Sequence, residues 1–188
     1  MGRTRKCTTS NAVPIKKKQV RKNKSSGTNF ENKIFKYFTG YLRKNNIKGI
    51  VYKFPDGKNI KQPIDVIIDG KAIGYCGIEC KSTYDTSLTN DKIYFSKLGH
   101  VSNETGLHQF VKQHRFLVES DRRGIMAFEF KNLNSIVLVP HQYVYEILIS
   151  GQLYLTVSDL LKHGYLLDNT KGSLELFIKN KCKVYDSE

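Results

Sequence analysis

Acidic residues are scarce in this chain: 17 Asp plus Glu stand against 31 Lys plus Arg, a formal net charge of +14. That imbalance points to a polyanionic partner, nucleic acid ahead of an acidic membrane surface. Long apolar runs are missing too. No stretch approaches the roughly 18 continuous apolar residues of a membrane span, and the opening MGRTRKCTTSNAVPIKKKQVRKNKSSG lacks the apolar segment of a secretory signal. The expectation is a cytoplasmic chain with no membrane partner. Cysteine is sparse and scattered. Cys7, Cys76, Cys80 and Cys182 fit no disulfide framework, and the C-x3-C pair has no second pair to complete a zinc site. No internal repeat is visible, and 188 residues suit one domain with a core of its own.

The charge is unevenly spread. Residues 1–26 hold nine basic residues and no acid: Arg3, Arg5, Lys6, Lys16, Lys17, Lys18, Arg21, Lys22 and Lys24. With almost no apolar periodicity, this segment reads as a disordered basic arm that touches phosphates, ahead of a folded domain over 27–188. Taking the nine charges of the arm from +14 leaves the domain at +5, still basic.

Within the domain, apolar periodicity places the elements. Phe30, Ile34, Phe38 and Leu42 recur at helical spacing, so a first helix begins near Thr28 and stops by Asn45–Asn46. GIVYKF (49–54) reads as a strand and PDGKN as a turn; DKIYFSK (91–97) reads as a short strand. From Glu104 to Ser120 the residues Leu107, Phe110, Val111, His114, Leu117 and Val118 make an amphipathic helix, with His114 on its core stripe. GIMAFEF (124–130) and SIVLVP (135–140) form a hairpin, followed by short helices over 141–150 and 157–163. The second of these opens with the capping box Thr156-x-x-Asp159. The order is that of a mixed α/β domain with a central sheet.

The stretch that carries chemistry is QPIDVIIDGKAIGYCGIECKST (62–83), two alternating arms around an Asp-Gly turn. Strand interiors usually exclude charge, yet Asp65 lies on the first arm and Glu79 and Lys81 on the second. Side-chain alternation gives Cys76, Ile78 and Cys80 one face, read as core, and Glu79 and Lys81 the other. Register decides whether Asp65 joins them. A two-residue loop at Gly70-Lys71 would leave Glu79 three residues beyond the partner of Asp65, about 10 Å at 3.3 Å per residue. A loop of five residues, 70–74, or a bulge would instead set Asp65 opposite Glu79, and Gly70 and Gly74 permit either. Converging carboxylates with a lysine beside them suit a hard cation, Mg2+ or Mn2+, which activates water that Lys81 orients or deprotonates. The plain alternative is a solvated strand face with an ordinary Glu/Lys pair.

PID and ECK, thirteen residues apart, resemble the PD-(D/E)XK nuclease signature. Neighbouring segments resemble Holliday junction resolvases. GTNFENKI (27–34) is similar to the start of the RecU type, and ECKST is close to both the Hjc and RecU forms. HQFVKQHRFLVESDRRGIMAFEF resembles their glutamine-bearing helix and following strand, and LLKHGYLL with SLELF resembles the RecU end. The similarity spans about residues 27–177 and is strict only at these islands. It implies a restriction-endonuclease-like mixed central β-sheet flanked by α-helices, and catalytic positions at Glu31, Asp65, Glu79 and Lys81. Asp65 and Glu79 would be the metal ligands, and the helix glutamine falls on Gln113 or, second, Gln109. Glu31 has a competing role, since Thr28-x-x-Glu31 is also a capping box. Ser26 and Gly27, at the expected helix start, offer backbone N–H groups to a phosphate. In place of the long RecU insertion there is only PDGKNIKQ, an Hjc-like feature.

The resemblance thus implies a Mg2+-dependent endonuclease that resolves four-way DNA junctions as a homodimer, with a branch-migration helicase as a candidate partner. Other PD-(D/E)XK nucleases, and a catalytically silent DNA-binding module, remain the rival readings.

Overall fold

The computed structural model describes residues 15–54, 63–83, 91–103, 105–167 and 173–185, with side chains from residue 27 onward. Helix α1 (Ile15–Lys44) presents Phe30, Ile34, Phe38 and Leu42 to the core, one per turn, all 5% exposed or less. It begins well upstream of Thr28, where apolar periodicity starts. Lys, Arg and Gln are good helix formers even without an apolar stripe to mark them. Its backbone therefore takes in Lys16, Lys17, Lys18, Arg21, Lys22 and Lys24, whose side chains lie outside the description, as do Arg3 and Arg5 entirely.

Three strands follow as an antiparallel meander: β1 (Gly49–Lys53), β2 (Val66–Gly70) and β3 (Gly74–Thr83). A crossover then carries β4 (Lys92–Tyr94), the single turn α2 (Phe95–Leu98) and α3 (Gln109–Glu119). It delivers β5 (Arg123–Phe130) parallel to β3, from Cys76 opposite Arg123 to Thr83 opposite Phe130. Strand β6 (Ser135–Pro140) returns antiparallel to β5, and α4 (His141–Ile149) follows. The chain ends with β7 (Tyr154–Thr156), α5 (Val157–His163), β8 (Tyr165–Leu166) and α6 (Leu174–Lys181). The main sheet runs β1-β2-β3-β5-β6-β8, and β4 pairs with β7 beside it. It is a mixed α/β fold: a mostly antiparallel six-stranded sheet flanked by helices.

Helices α1 and α6 cover one face, closing a core of Phe30, Ile34, Phe38, Val66, Ile78, Ala127 and Ile178. On the other face Phe110 of α3, Val144 of α4 and Leu160 of α5 pack on Met126, Phe128 and Val139. The central strands are thus buried on both sides, which is why GIMAF and IVLV are continuous apolar runs. Cys76 and Ile78 belong to the α1 core with Cys80 packed against it, as their shared face implies. Thr156 caps α5 as its capping box requires, accepting from the Asp159 N–H at 3.0 Å.

Helix α3 approaches the sheet over two glycines, Gly77 and Gly124, which are register partners on β3 and β5. A Cβ on either would lie 2.7 Å from a methyl of Leu117, so side chains there would lift α3 off the sheet.

Phe38 is fully buried between α1 and the sheet. Phe38→Ala is expected to cost about 3–5 kcal/mol through lost burial and the cavity left behind. Urea unfolding followed by circular dichroism checks this, with the slope against urea unchanged.

Candidate active site

The site begins with a turn. Strands β2 and β3 pair from Val66 opposite Ile78 to Gly70 opposite Gly74, closing on the three residues 71–73. Gly74 has φ +82°, a left-handed conformation that favours glycine. Ile73, 1% exposed, pins the loop to the core. Asp65 follows one residue beyond the last paired residue, Val66, and comes beside Glu79, as the longer-loop alternative of the two that the sequence allowed. The Asp65 N–H donates to the Ile78 carbonyl at 3.1 Å, and the Cys80 N–H donates to Asp65 Oδ2 at 2.7 Å.

Glu79 is 3% exposed, an unusual position for a carboxylate. Its Oε1 accepts from Lys81 Nζ at 2.7 Å and from Gln109 Nε2 at 3.0 Å. Lys81 also lies over the Phe110 ring, 5.7 Å from its centroid. Burial, and next the charge of Glu79, hold the Asp65 carboxyl well above the ordinary carboxylate range; the Cys80 N–H works in the opposite direction. The charge of Glu31 also raises Asp65, so the α1 carboxylate acts on the same site. Glu31 Oε2 meets Lys53 Nζ at 3.0 Å, and Lys53 bonds Asn32 Oδ1 at 3.0 Å, tying α1 to β1.

Because α1 starts at Ile15, Thr28 and Glu31 lie inside the helix and form no N-terminal capping box there. Ser26 and Gly27 are likewise within the helix, so the phosphate site expected at a helix start is not at these residues. The remaining residues of ECKST anchor the strand. Ser82 Oγ donates to Glu129 Oε2 at 2.9 Å, and Thr83 Oγ1 to the Glu129 carbonyl at 3.3 Å.

The two helix glutamines separate. Helix α3 begins at Gln109, not near Glu104, because His108 caps it: its Nδ1 accepts from the Phe110 N–H at 3.2 Å. Gln109 is thereby the first residue of the helix and reaches Glu79. Gln113, one turn on, is 1% exposed, and neither its amide nitrogen nor its oxygen has a hydrogen-bond partner. His114, as its place on the stripe implies, is core: 4% exposed and stacked on Tyr145 with centroids 3.6 Å apart. Lys53 went unnoticed in the sequence, since nothing in GIVYKF marks it as a partner of a residue 22 positions earlier.

For a divalent cation the donor set is all oxygen. Asp65 Oδ1 and Glu79 Oε2 have no hydrogen-bond partner among the described residues, whereas the other oxygen of each is engaged. Two crowded carboxylates of which one is driven toward protonation are a pair that a cation would relieve. No group of three or more His, Cys, Asp or Glu able to hold a metal is assembled among the described residues. Two carboxylates completed by water and substrate phosphate suit Mg2+, which seldom takes an all-protein cage. Among the described residues no helix is long and apolar enough to cross a membrane.

A scan against protein-family models finds no match, and a search of curated proteins finds no relative.

The raised Asp65 carboxyl has a consequence for the metal-free protein. The folded state keeps this proton where the unfolded chain, with an ordinary pKa near about 3.9, has lost it. Stability from this group is therefore complete below about pH 4 and is lost as pH rises toward the folded-state value. In chelator, thermal unfolding is expected to show a declining Tm across that window, and Asp65→Asn to flatten the decline.

Proposed function

We propose that the protein is a Mg2+-dependent, structure-selective DNA endonuclease of the PD-(D/E)XK superfamily, acting as a Holliday junction resolvase. The observation that carries the reading is the convergence of Asp65 and Glu79 where the β2–β3 ladder ends, with Lys81 bonded to Glu79. Periodicity alone left that register open. A mixed central sheet flanked by helices, which a restriction-endonuclease-like fold would present, supports the same reading. So does the net charge of +14.

Asp65 and Glu79 would hold the metal. When bound, it polarises a phosphate oxygen and makes its water a stronger nucleophile. The chain's own groups do the rest. Gln109 and Lys81 fix Glu79 Oε1, so Oε2 would be the atom available to a cation. The Cys80 N–H fixes Asp65 Oδ2 in the same way. Lys81 Nζ carries three N–H donors, of which Glu79 takes one, and offers the others to the attacking water or the scissile phosphate. Glu31 adds its carboxylate charge beside the site, partly offset by Lys53, which holds it in place. Two symmetric cuts require two sites, so the working unit is a homodimer whose twofold axis matches that of the junction. Basic residues of the N-terminal segment, Arg3, Arg5, Lys16, Lys17, Lys18, Arg21, Lys22 and Lys24, supply phosphate contacts. The enzyme would work in the cytoplasm, beside a branch-migration helicase.

The test is cleavage of four-way junction, fork, duplex and single-stranded DNA with Mg2+ or Mn2+. Junction cutting is the expected result; duplex cutting alone would move the assignment to another PD-(D/E)XK nuclease. Asp65→Asn, Glu79→Gln and Lys81→Ala are each expected to lower the rate at least about a hundredfold while preserving junction binding. Retention of near-wild-type turnover by any of them would remove that residue from the site. If no substrate is cut by the wild-type protein, the silent DNA-binding reading stands.

Removing residues 1–26 deletes nine positive charges and none of the apolar stripe that begins at Phe30. The slope of log K against log salt is expected to become shallower by about 0.9 per lost phosphate contact. Titrations of a labelled junction at four or five salt concentrations give that slope directly.

A further inference from the structure

Beside the carboxylate pair lies a cleft of about 390 Å3, on the side where α3 begins. Two of its lining residues tie it to that pair. Gln109 donates its amide to Glu79, and Pro63 stands two residues before Asp65, at most about 7 Å along the chain. The backbone fixes the remaining walls. The Gln109 N–H donates to the His100 carbonyl at 2.9 Å, and the Ser102 N–H to the Leu107 carbonyl at 2.9 Å. His100, Ser102 and Leu107 are thereby held against the start of α3.

Charge separates this cleft from others on the molecule. Clefts of about 280, 390 and 400 Å3 elsewhere each include a carboxylate, from Glu146, Asp121 and Asp69 respectively. Here, among the described residues, the lining carries none, and Lys112 supplies a positive charge from α3. Lys112 is exposed and has no ion-pair partner among the described residues. It follows Gln109 by three positions on the helix, a spacing that sets their Cβ atoms about 5–6 Å apart. The N–H groups that open α3 are already taken, Gln109 by His100, and Phe110 and Val111 by His108. An anion in the cleft would therefore be met by side chains, the Lys112 ammonium first, with His100 and Ser102 beside it. Pro63 and Leu107 add an apolar flank of the kind a sugar ring covers.

We infer that the cleft seats one nucleotide of the cut strand, its phosphate on Lys112 and its sugar against Pro63 and Leu107. Each nucleotide advances a strand by about 3.4 Å, so that phosphate lies about one or two positions from the scissile one. The inference rests on the nuclease reading and deepens it. A phosphate held on one side of the carboxylates gives the strand a fixed direction through the site. The cation alone would not, because a phosphodiester offers it nonbridging oxygens in either direction. Contacts of the N-terminal segment raise affinity, whereas Lys112 places the strand.

The experiment follows single-turnover cutting of a junction by wild type and Lys112→Ala, with the phosphates flanking the mapped cut replaced one at a time by neutral methylphosphonate. Cutting of the unmodified junction by wild type reports on the nuclease reading alone; its absence would end both proposals. If wild type cuts, one replacement close to the cut is expected to slow it at least about tenfold, as loss of a charge-assisted hydrogen bond would. Lys112→Ala is expected to slow the unmodified junction by a similar factor and to lose nothing more at that position. Lys112→Arg keeps the charge, and is expected to recover most of the rate together with the sensitivity there. Wild type indifferent to every replacement, or Lys112→Ala slowed further by the same factor at that position, would overturn the nucleotide subsite and leave the nuclease standing. Lys112 is exposed and alanine favours helix, so Lys112→Ala is expected to melt with wild type, which assigns the lost rate to the substrate contact.

Discussion

The pairing of Gly70 with Gly74 governs everything that happens at the far end of the hairpin. Strand side chains alternate with a period of two, so a slip of one residue would turn Asp65 to the opposite face from Glu79. The turn prevents the slip by two independent means. Gly74 takes a left-handed φ of +82°, which a residue with a side chain adopts only under strain. Ile73 buries its side chain from within the loop itself, 1% exposed against the α1 core. Five residues along each arm, the two carboxylates inherit that register.

Bringing them together has a cost that the neighbouring elements offset. Glu79 lies on a strand covered on both faces, where an unpaired carboxylate would be strongly disfavoured. Lys81 supplies a counter-charge from the same strand, but Gln109 comes from a helix 30 residues away. Its reach depends on how close α3 sits to the sheet. That distance is set by Leu117 resting on the paired glycines Gly77 and Gly124, near the other end of the helix. The glycine of YCGIECK is therefore part of the site although it touches none of its side chains. A larger residue there would act on Glu79 through the two turns of α3 between Leu117 and Gln109.

What the sequence made legible follows from period and length. The α1 stripe, the alternation of both hairpin arms and the apolar runs of β5 and β6 all repeat long enough to be read. The three-residue β7, the two-residue β8 and the eight-residue α6 do not, and each is held by contacts distant in the chain. Helix boundaries misled for a definite reason. Leu107 continues the stripe of α3, yet Gly106 sits at φ +64° and His108 caps the helix after it. Shifting that start by five residues moves Gln109 from mid-helix to the first turn, which is what decides between the two glutamines. In α1 the error ran the other way, because a basic helix with no apolar face leaves no period to find. The meeting of the two carboxylates was half legible. The residues were visible, but the choice between the two registers depended on which side of Gly70 the loop closed.

A site with two carboxylates is incomplete by design. Under the nuclease reading a cation held there would keep open positions for water or substrate phosphate, so metal and DNA would each bind more tightly in the presence of the other, by the same factor. Under the nuclease reading this separates affinity from selectivity. The excess of 31 basic over 17 acidic residues attracts any nucleic acid and distinguishes none. Discrimination must then come from geometry near the cation. The chain has only eight residues, PDGKNIKQ, where a RecU-like insertion would enter a junction. With so short a segment, the spacing of two sites in a dimer would remain to read DNA shape. That spacing measures the branch as a whole. A linear duplex does not match it, because its strands do not cross.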